Sequence, residues 1–136
     1  MYIEGSPGRS AKLKDKRVLV VEDEAVLSIV IEDELLDAGA TVLGPAGCLA
    51  DALRLVEAAT ADGGIDAAVL DINLQGEAVG PVADRLAALG VPFLFATGYG
   101  EGPDKDGHGT APTLHKPFSP ESLVAAVEAL ASASVR

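Results

Sequence analysis

One stretch, Ala67-Ala68-Val69-Leu70-Asp71-Ile72-Asn73-Leu74, limits the possible folds more than any other. An apolar run stops abruptly at a carboxylate, and a turn with Gly76 follows. Val69 and Leu70 read as a strand buried on both faces, the habit of parallel sheets. Asp71 then stands at the carboxyl end of that strand, where open α/β sheets place their ligand sites. A carboxylate there is a metal ligand, a nucleophile, or a cap on the turn that follows.

The same pattern occurs earlier. Arg17-Val18-Leu19-Val20-Val21 is a β-branched apolar run that meets Glu22-Asp23-Glu24 at once. At ~4 Å and an effective dielectric of ~20, each pair of such carboxylates costs about 4 kcal/mol, which a cation would remove. Acidic residues also suit a helix N-terminus, and Ala25 to Ala38 has helical periodicity. Leu27, Val30, Ile31, Leu35 and Ala38 share one face and Gly39 closes the helix. Val26, Ile29 and Leu36 fall off that face, so the helix has more apolar surface than one buried stripe needs.

Further along, Thr41-Val42-Leu43-Gly44-Pro45 reads as a short second strand ending at Pro45. Leu49, Ala52, Leu53 and Val56 mark a second helix that fades at 60–64. After Gly80-Pro81, the residues Val82, Leu86 and Leu89 mark a third, stopped by Gly90. Val91 to Ala96 is a fourth strand. Gly98, Gly100, Gly102, Gly107 and Gly109 then fall where the alternation calls for a helix. At about 1 kcal/mol per glycine they make a full helix there unfavourable. Thr110 to Leu114 is a weak fifth strand reaching His115-Lys116-Pro117-Phe118. Ser119 as N-cap and Pro120 at the first helical position open a last helix, with Leu123, Val127, Leu130 and Ala131 inward. Strands and helices alternating five times predict a doubly wound, five-stranded parallel sheet covered on both faces.

Length and charge bound the function. At 136 residues the chain is one domain, and 49% hydrophobic residues against 23% charged ones mark it as folded. Five of the 10 basic residues, but only two of the 21 acidic ones, lie before Val18. Residues 18–136 thus carry 5 basic and 19 acidic residues, a net of −14, which repels nucleic acid. No apolar run reaches the roughly 18 residues of a membrane span, and Cys48 is the single cysteine, so no intramolecular disulfide forms. A cytoplasmic protein without membrane insertion is expected. Residues 1–16, rich in Gly, Ser and Lys, read as a flexible basic tail, and 17–136 as the folded domain.

In a doubly wound sheet, the strand-end residues Glu22, Asp23, Asp71, Thr97 and Lys116 converge on the carboxyl edge. Acids able to hold Mg²⁺, a further acid, a hydroxyl and an ammonium suit phosphoryl transfer. No GxxxxGK[ST] or GxGxxG loop is present, so a nucleotide is not the obvious donor. With these residues in view, Val-Val-Glu-Asp-Glu, Val-Leu-Asp-Ile-Asn-Leu, Ala-Thr-Gly and Lys-Pro-Phe resemble the receiver domain of two-component response regulators. Pro92 to Gly100 is also similar at every position to the Pro-Phe-x-Phe-Ala-Thr-Gly-Tyr-Gly stretch of the FAT-GUY subclass.

The resemblance implies a flavodoxin-like (βα)5 fold with strand order 2-1-3-4-5, here with an irregular fourth helix. It implies a stand-alone regulator, phosphorylated on Asp71 by a histidine kinase or histidine phosphotransfer protein, that catalyses only its own phosphorylation and dephosphorylation. Asp23 would ligate Mg²⁺ directly, the Asn73 backbone carbonyl would be another ligand, and Glu22 would act through a bound water. Thr97 and Gly98 would meet the phosphoryl group, Lys116 would pair with it, and the Lys116–Pro117 bond would be cis. Thr113 departs from the family, which carries Tyr or Phe there as a moving switch. Tyr99 and an ordering of residues 98–109 are the expected substitute. Val26, Ile29 and Leu36 would form the docking face for the histidine partner. An unknown downstream protein would read the signal, from a monomer or weak dimer. A Mg²⁺-dependent phosphohydrolase with an aspartate nucleophile is the alternative, but Asn73 stands where such enzymes carry a second, proton-transferring aspartate. A flavodoxin-like cofactor binder lacks the phosphate-cradling loop after its first strand.

Overall fold

Each central strand carries two apolar faces, and each face packs under a different pair of helices. In the computed structural model, which describes residues 11–74, 76–98, 108 and 110–133, this layering runs through the whole sheet. The elements are β1 (Arg17–Val21), α1 (Ala25–Asp37), β2 (Thr41–Ala46), α2 (Leu49–Ala61), β3 (Ala67–Asp71), β4 (Asn73–Leu74), β5 (Glu77–Ala78), α3 (Gly80–Ala88), β6 (Phe93–Thr97), β7 (Thr113–His115) and α4 (Pro120–Ala133). Leu19 and Val21, Ala68 and Leu70, and Phe93 and Phe95 meet Ala52 and Val56 of α2 and Val82 and Leu86 of α3. The intervening Val18, Val20, Ala67, Val69 and Leu94 meet Ile31 and Leu35 of α1 and Leu123 and Val127 of α4. That double burial is why the strands read as continuous apolar runs.

The main sheet has the order β2-β1-β3-β6-β7, every pair parallel. Counting its five strands alone, this is the expected 2-1-3-4-5, the α/β architecture of flavodoxin-like receivers. Four helices cover it among the described residues. Tyr99 and the rest of the glycine-rich stretch, except Gly98 and His108, lie outside those residues, and with them the irregular fourth helix.

Four details differ from the sequence reading. Leu13 falls in the stretch read as a flexible tail, yet it is fully buried against Ile31, Leu35 and Ala38, and its N–H donates to the Ala38 carbonyl at 2.9 Å. Residues 11–16 therefore belong to the packed unit, since burying a leucine stabilises by about 1.5–3 kcal/mol. Strand β2 runs through Pro45 to Ala46, with the Gly44–Pro45 bond cis and a register shift opposite Leu19–Val21. Gly44 is needed there: its φ is 101°, and a Cβ would sit 2.8 Å from the Val20 carbonyl oxygen. Val30, read as core, is exposed, as are Val26, Ile29 and Leu36. Directly after Asp71 the chain makes a two-stranded hairpin, β4–β5, turning at Gly76 with φ 89°. It buries Leu74 fully.

Candidate functional site

Because the five strands are parallel, whatever follows each one lands on the same edge. Val21 pairs with Leu70, so Glu22 follows β1 beside Asp71 at the end of β3. Asp71 pairs with Ala96 of β6, one residue before Thr97, and Thr97 pairs with His115 of β7, one residue before Lys116. Glu22, Asp71 and Thr97 are buried although polar, which in a core otherwise apolar needs a reason.

The carboxylates crowd together. Glu22, Asp23 and Asp71 each offer an oxygen, and these oxygens all lie within 4.8 Å of one another. Lys116 faces them: its Nζ is 3.3 Å from Glu22 Oε1, 3.5 Å from Asp71 Oδ2 and 3.1 Å from Glu24 Oε1. Burial works against the Lys116 ammonium, but the hydrogen bond to Glu24 and the charges of Glu22 and Asp71 outweigh it. The net effect raises its pKa above the usual lysine value, keeping it charged. Glu22 Oε2 accepts the Glu24 N–H at 3.2 Å, while the buried Glu22 Oε1 has no hydrogen bond among the described residues and is ion-paired with Lys116.

The donor set suits a small hard cation. It is made of carboxylate oxygens, and one buried oxygen is unsatisfied by hydrogen bonding, which matches the oxygen preference and partial hydration of Mg²⁺. Asn73 lies in β4, whose pairing with Ala78 fixes its backbone two residues past Asp71.

Thr97 is held twice. Its carbonyl accepts the Lys116 N–H at 2.7 Å, and its Oγ1 lies 3.1 Å from His115 Nδ1. Gly98, half-buried, follows it directly. The Lys116–Pro117 bond is cis, as expected. Thr113 is half-buried on β7, and its buried Oγ1 has no hydrogen-bond partner among the described residues.

The comparisons agree with this geometry. No protein-family model matches the chain. It is 41% identical to SdrG from Sphingomonas melonis, whose solution structure superposes with a TM-score of 0.73 over 85% of this chain and 96% of that one. A response regulator receiver protein from Sinorhizobium medicae is 28% identical, with a TM-score of 0.73 over 89% of this chain and 98% of that one.

The chain belongs to the response-regulator receiver family.

It is also 36% identical over 132 residues to the transcriptional regulatory protein TcrA of Mycobacterium tuberculosis, covering 91% of this chain. The receiver chain spans about half the length of that curated relative, 49% of it.

Sequence reasoning missed two residues of this receiver site. Glu24 reads in the sequence as one of three crowded carboxylates at a helix start, with no partner assigned, yet its Oε1 comes within 3.1 Å of Lys116 Nζ. His115, next to the Lys116 of the family motif, is the second. Its signal was available: a strand reaching His115 beside one ending at Thr97 puts the ring next to the hydroxyl. No helix among the described residues is long and apolar enough to cross a membrane.

Proposed function

We propose that Asp71 is the phosphoacceptor of this receiver and that the phosphoryl group comes from a phosphohistidine on a kinase or phosphotransfer protein. The observation that carries the reading is the crowding of Asp71 with Glu22 and Asp23, opposite the ammonium of Lys116. An Asp71 carboxylate oxygen attacks phosphorus, the O–P bond forming as the P–N bond breaks. The departing electron pair stays with the imidazole nitrogen, which takes up a proton. Lys116, kept cationic, stabilises the negative charge carried by the transferring oxygens. The Thr97 hydroxyl, with the backbone at Gly98, then donates to the phosphoryl oxygens.

Glu22, Asp23, Asp71 and the Asn73 carbonyl would hold Mg²⁺, Glu22 through a water. Bound there, the ion supplies Lewis-acid neutralisation of phosphoryl charge. The receiver catalyses only its own phosphorylation and dephosphorylation and passes the signal on by contact with a downstream protein. The exposed Val26, Ile29 and Leu36 of α1, the helix that starts at the acidic edge, are the docking face for the histidine partner. Borohydride reduction tests the assignment, because it converts an aspartyl phosphate to homoserine. After treatment with acetyl phosphate, homoserine at position 71 is expected; homoserine elsewhere would overturn it.

A further inference from the structure

The hydroxyl of Thr97 has one proton to give and a partner already in place. His115 Nδ1 lies 3.1 Å away, inside hydrogen-bond reach. The two residues are register partners on neighbouring parallel strands. The Thr97 main chain is fixed by the Lys116 N–H at 2.7 Å, so its side-chain torsion is what can change. Threonine occupies discrete staggered rotamers, so its hydroxyl moves between separate positions and does not drift. Thr113, on the same strand and the same side of β7 as His115, has no ring to follow that movement. The exposed group coupled to Thr97 is the imidazole of His115.

We propose that His115 is the positioning residue for Thr97. Its Nδ1 accepts the Thr97 proton in the unphosphorylated domain and loses it when a phosphoryl group on Asp71 draws the hydroxyl away. The freed ring, exposed at the end of the edge strand β7, is what a partner reads. The inference rests on the assignment of Asp71 as phosphoacceptor. It requires the tautomer in which the ring proton sits on Nε2 before phosphorylation, so that Nδ1 is an acceptor. Removing the ring releases one net hydrogen bond, which shifts the Thr97 rotamer population roughly five-fold toward the phosphorylated arrangement.

The test uses the full chain with labelled threonine methyl groups and labelled histidine rings, with and without acetyl phosphate and Mg²⁺. The Thr97 methyl signals of the free and phosphorylated wild type mark two ends of a scale. In free His115→Ala the signal should move toward the phosphorylated end. In His115→Asn it should return to the free position, because the side-chain amide oxygen of asparagine can stand in for Nδ1. The Nδ1 signal of wild-type His115 should shift on phosphorylation. An unmoved Thr97 methyl in a folded His115→Ala variant overturns the proposal, while mass gain by both proteins leaves the assignment of Asp71 standing. Should His115→Ala fail to fold, the wild-type ring decides: an Nδ1 signal identical in the two states overturns the proposal. A wild type that gains no phosphoryl group overturns the assignment of Asp71, and this inference with it.

Discussion

Where β1 begins, the Arg17 N–H donates to the buried carboxylate of Asp66 at 2.8 Å and the Arg17 side chain donates to the Gly64 carbonyl at 2.7 Å. Beyond the other end of the same strand, Glu22, Asp23 and Asp71 gather opposite one lysine. Both ends bury acids, but they use them differently. At the amino edge one carboxylate meets a backbone donor and the guanidinium has a carbonyl, so the charges serve the fold. At the carboxyl edge, among the described residues, the acids outnumber the cation and a buried Glu22 oxygen has no hydrogen bond. The difference teaches where to look for chemistry: the end whose charges are not settled internally is ready for a ligand that settles them.

The largest effect should come from damaging the settled end. Asp66→Ala leaves the half-buried Arg17 N–H without its acceptor and should lower stability by about 2 kcal/mol in urea unfolding. Little change would mean that this edge is not held by the pair. At the other end, Lys116→Met should lower stability at neutral pH by about 1–2 kcal/mol in a chelating buffer. That is less than for a fully buried pair, because Glu24 is 62% exposed and water screens it. In the wild type, the raised Lys116 pKa sets the pH limit of that contribution. Its contribution is complete below the ordinary value of 10.5 and is lost as pH rises through the higher folded value. A loss beginning well below that would contradict the ion-pair account.

Asp71→Asn should sharpen the contrast, because it removes a crowded charge. It should raise stability by about 1 kcal/mol without Mg²⁺, and added Mg²⁺ should narrow the gap by stabilising the wild type. The same substitution destabilising the chain would show that Asp71 belongs to the settled kind. The smallest stability effect is expected for Ile29→Glu, within about 0.5 kcal/mol, because the residue is exposed. It should nevertheless slow phosphotransfer from a histidine partner while sparing acetyl phosphate; equal rates would rule out α1 as the docking face.

How much of this the sequence allowed depended on the kind of signal. The strands of the sheet and the acids at their ends were legible, because buried parallel strands are unbroken apolar runs and a carboxylate ending one is conspicuous. Leu13 was not, since a single leucine among lysines has no periodicity and its burial depends on where α1 ends. Val30 was misread because a stripe on a short helix is only about a face wide, and the sheet takes Ile31 and Leu35 instead. Pro45 reads as the end of β2, but the strand continues through it to Ala46, past a register shift against β1. The Glu24 contact has no local signal, since it depends on Lys116, 92 positions away and brought near by strand order, whereas His115 and Thr97, 18 positions apart, end neighbouring strands that the sequence shows.

The most direct test of the central claim, that the unsettled acids form a phosphoacceptor site, is intact mass after incubation with acetyl phosphate. The wild type should gain one labile phosphoryl group when Mg²⁺ is present and none in a chelator, and Asp71→Asn should gain none in either. Equal labelling of Asp71→Asn and the wild type, or labelling of the wild type that ignores Mg²⁺, would contradict it.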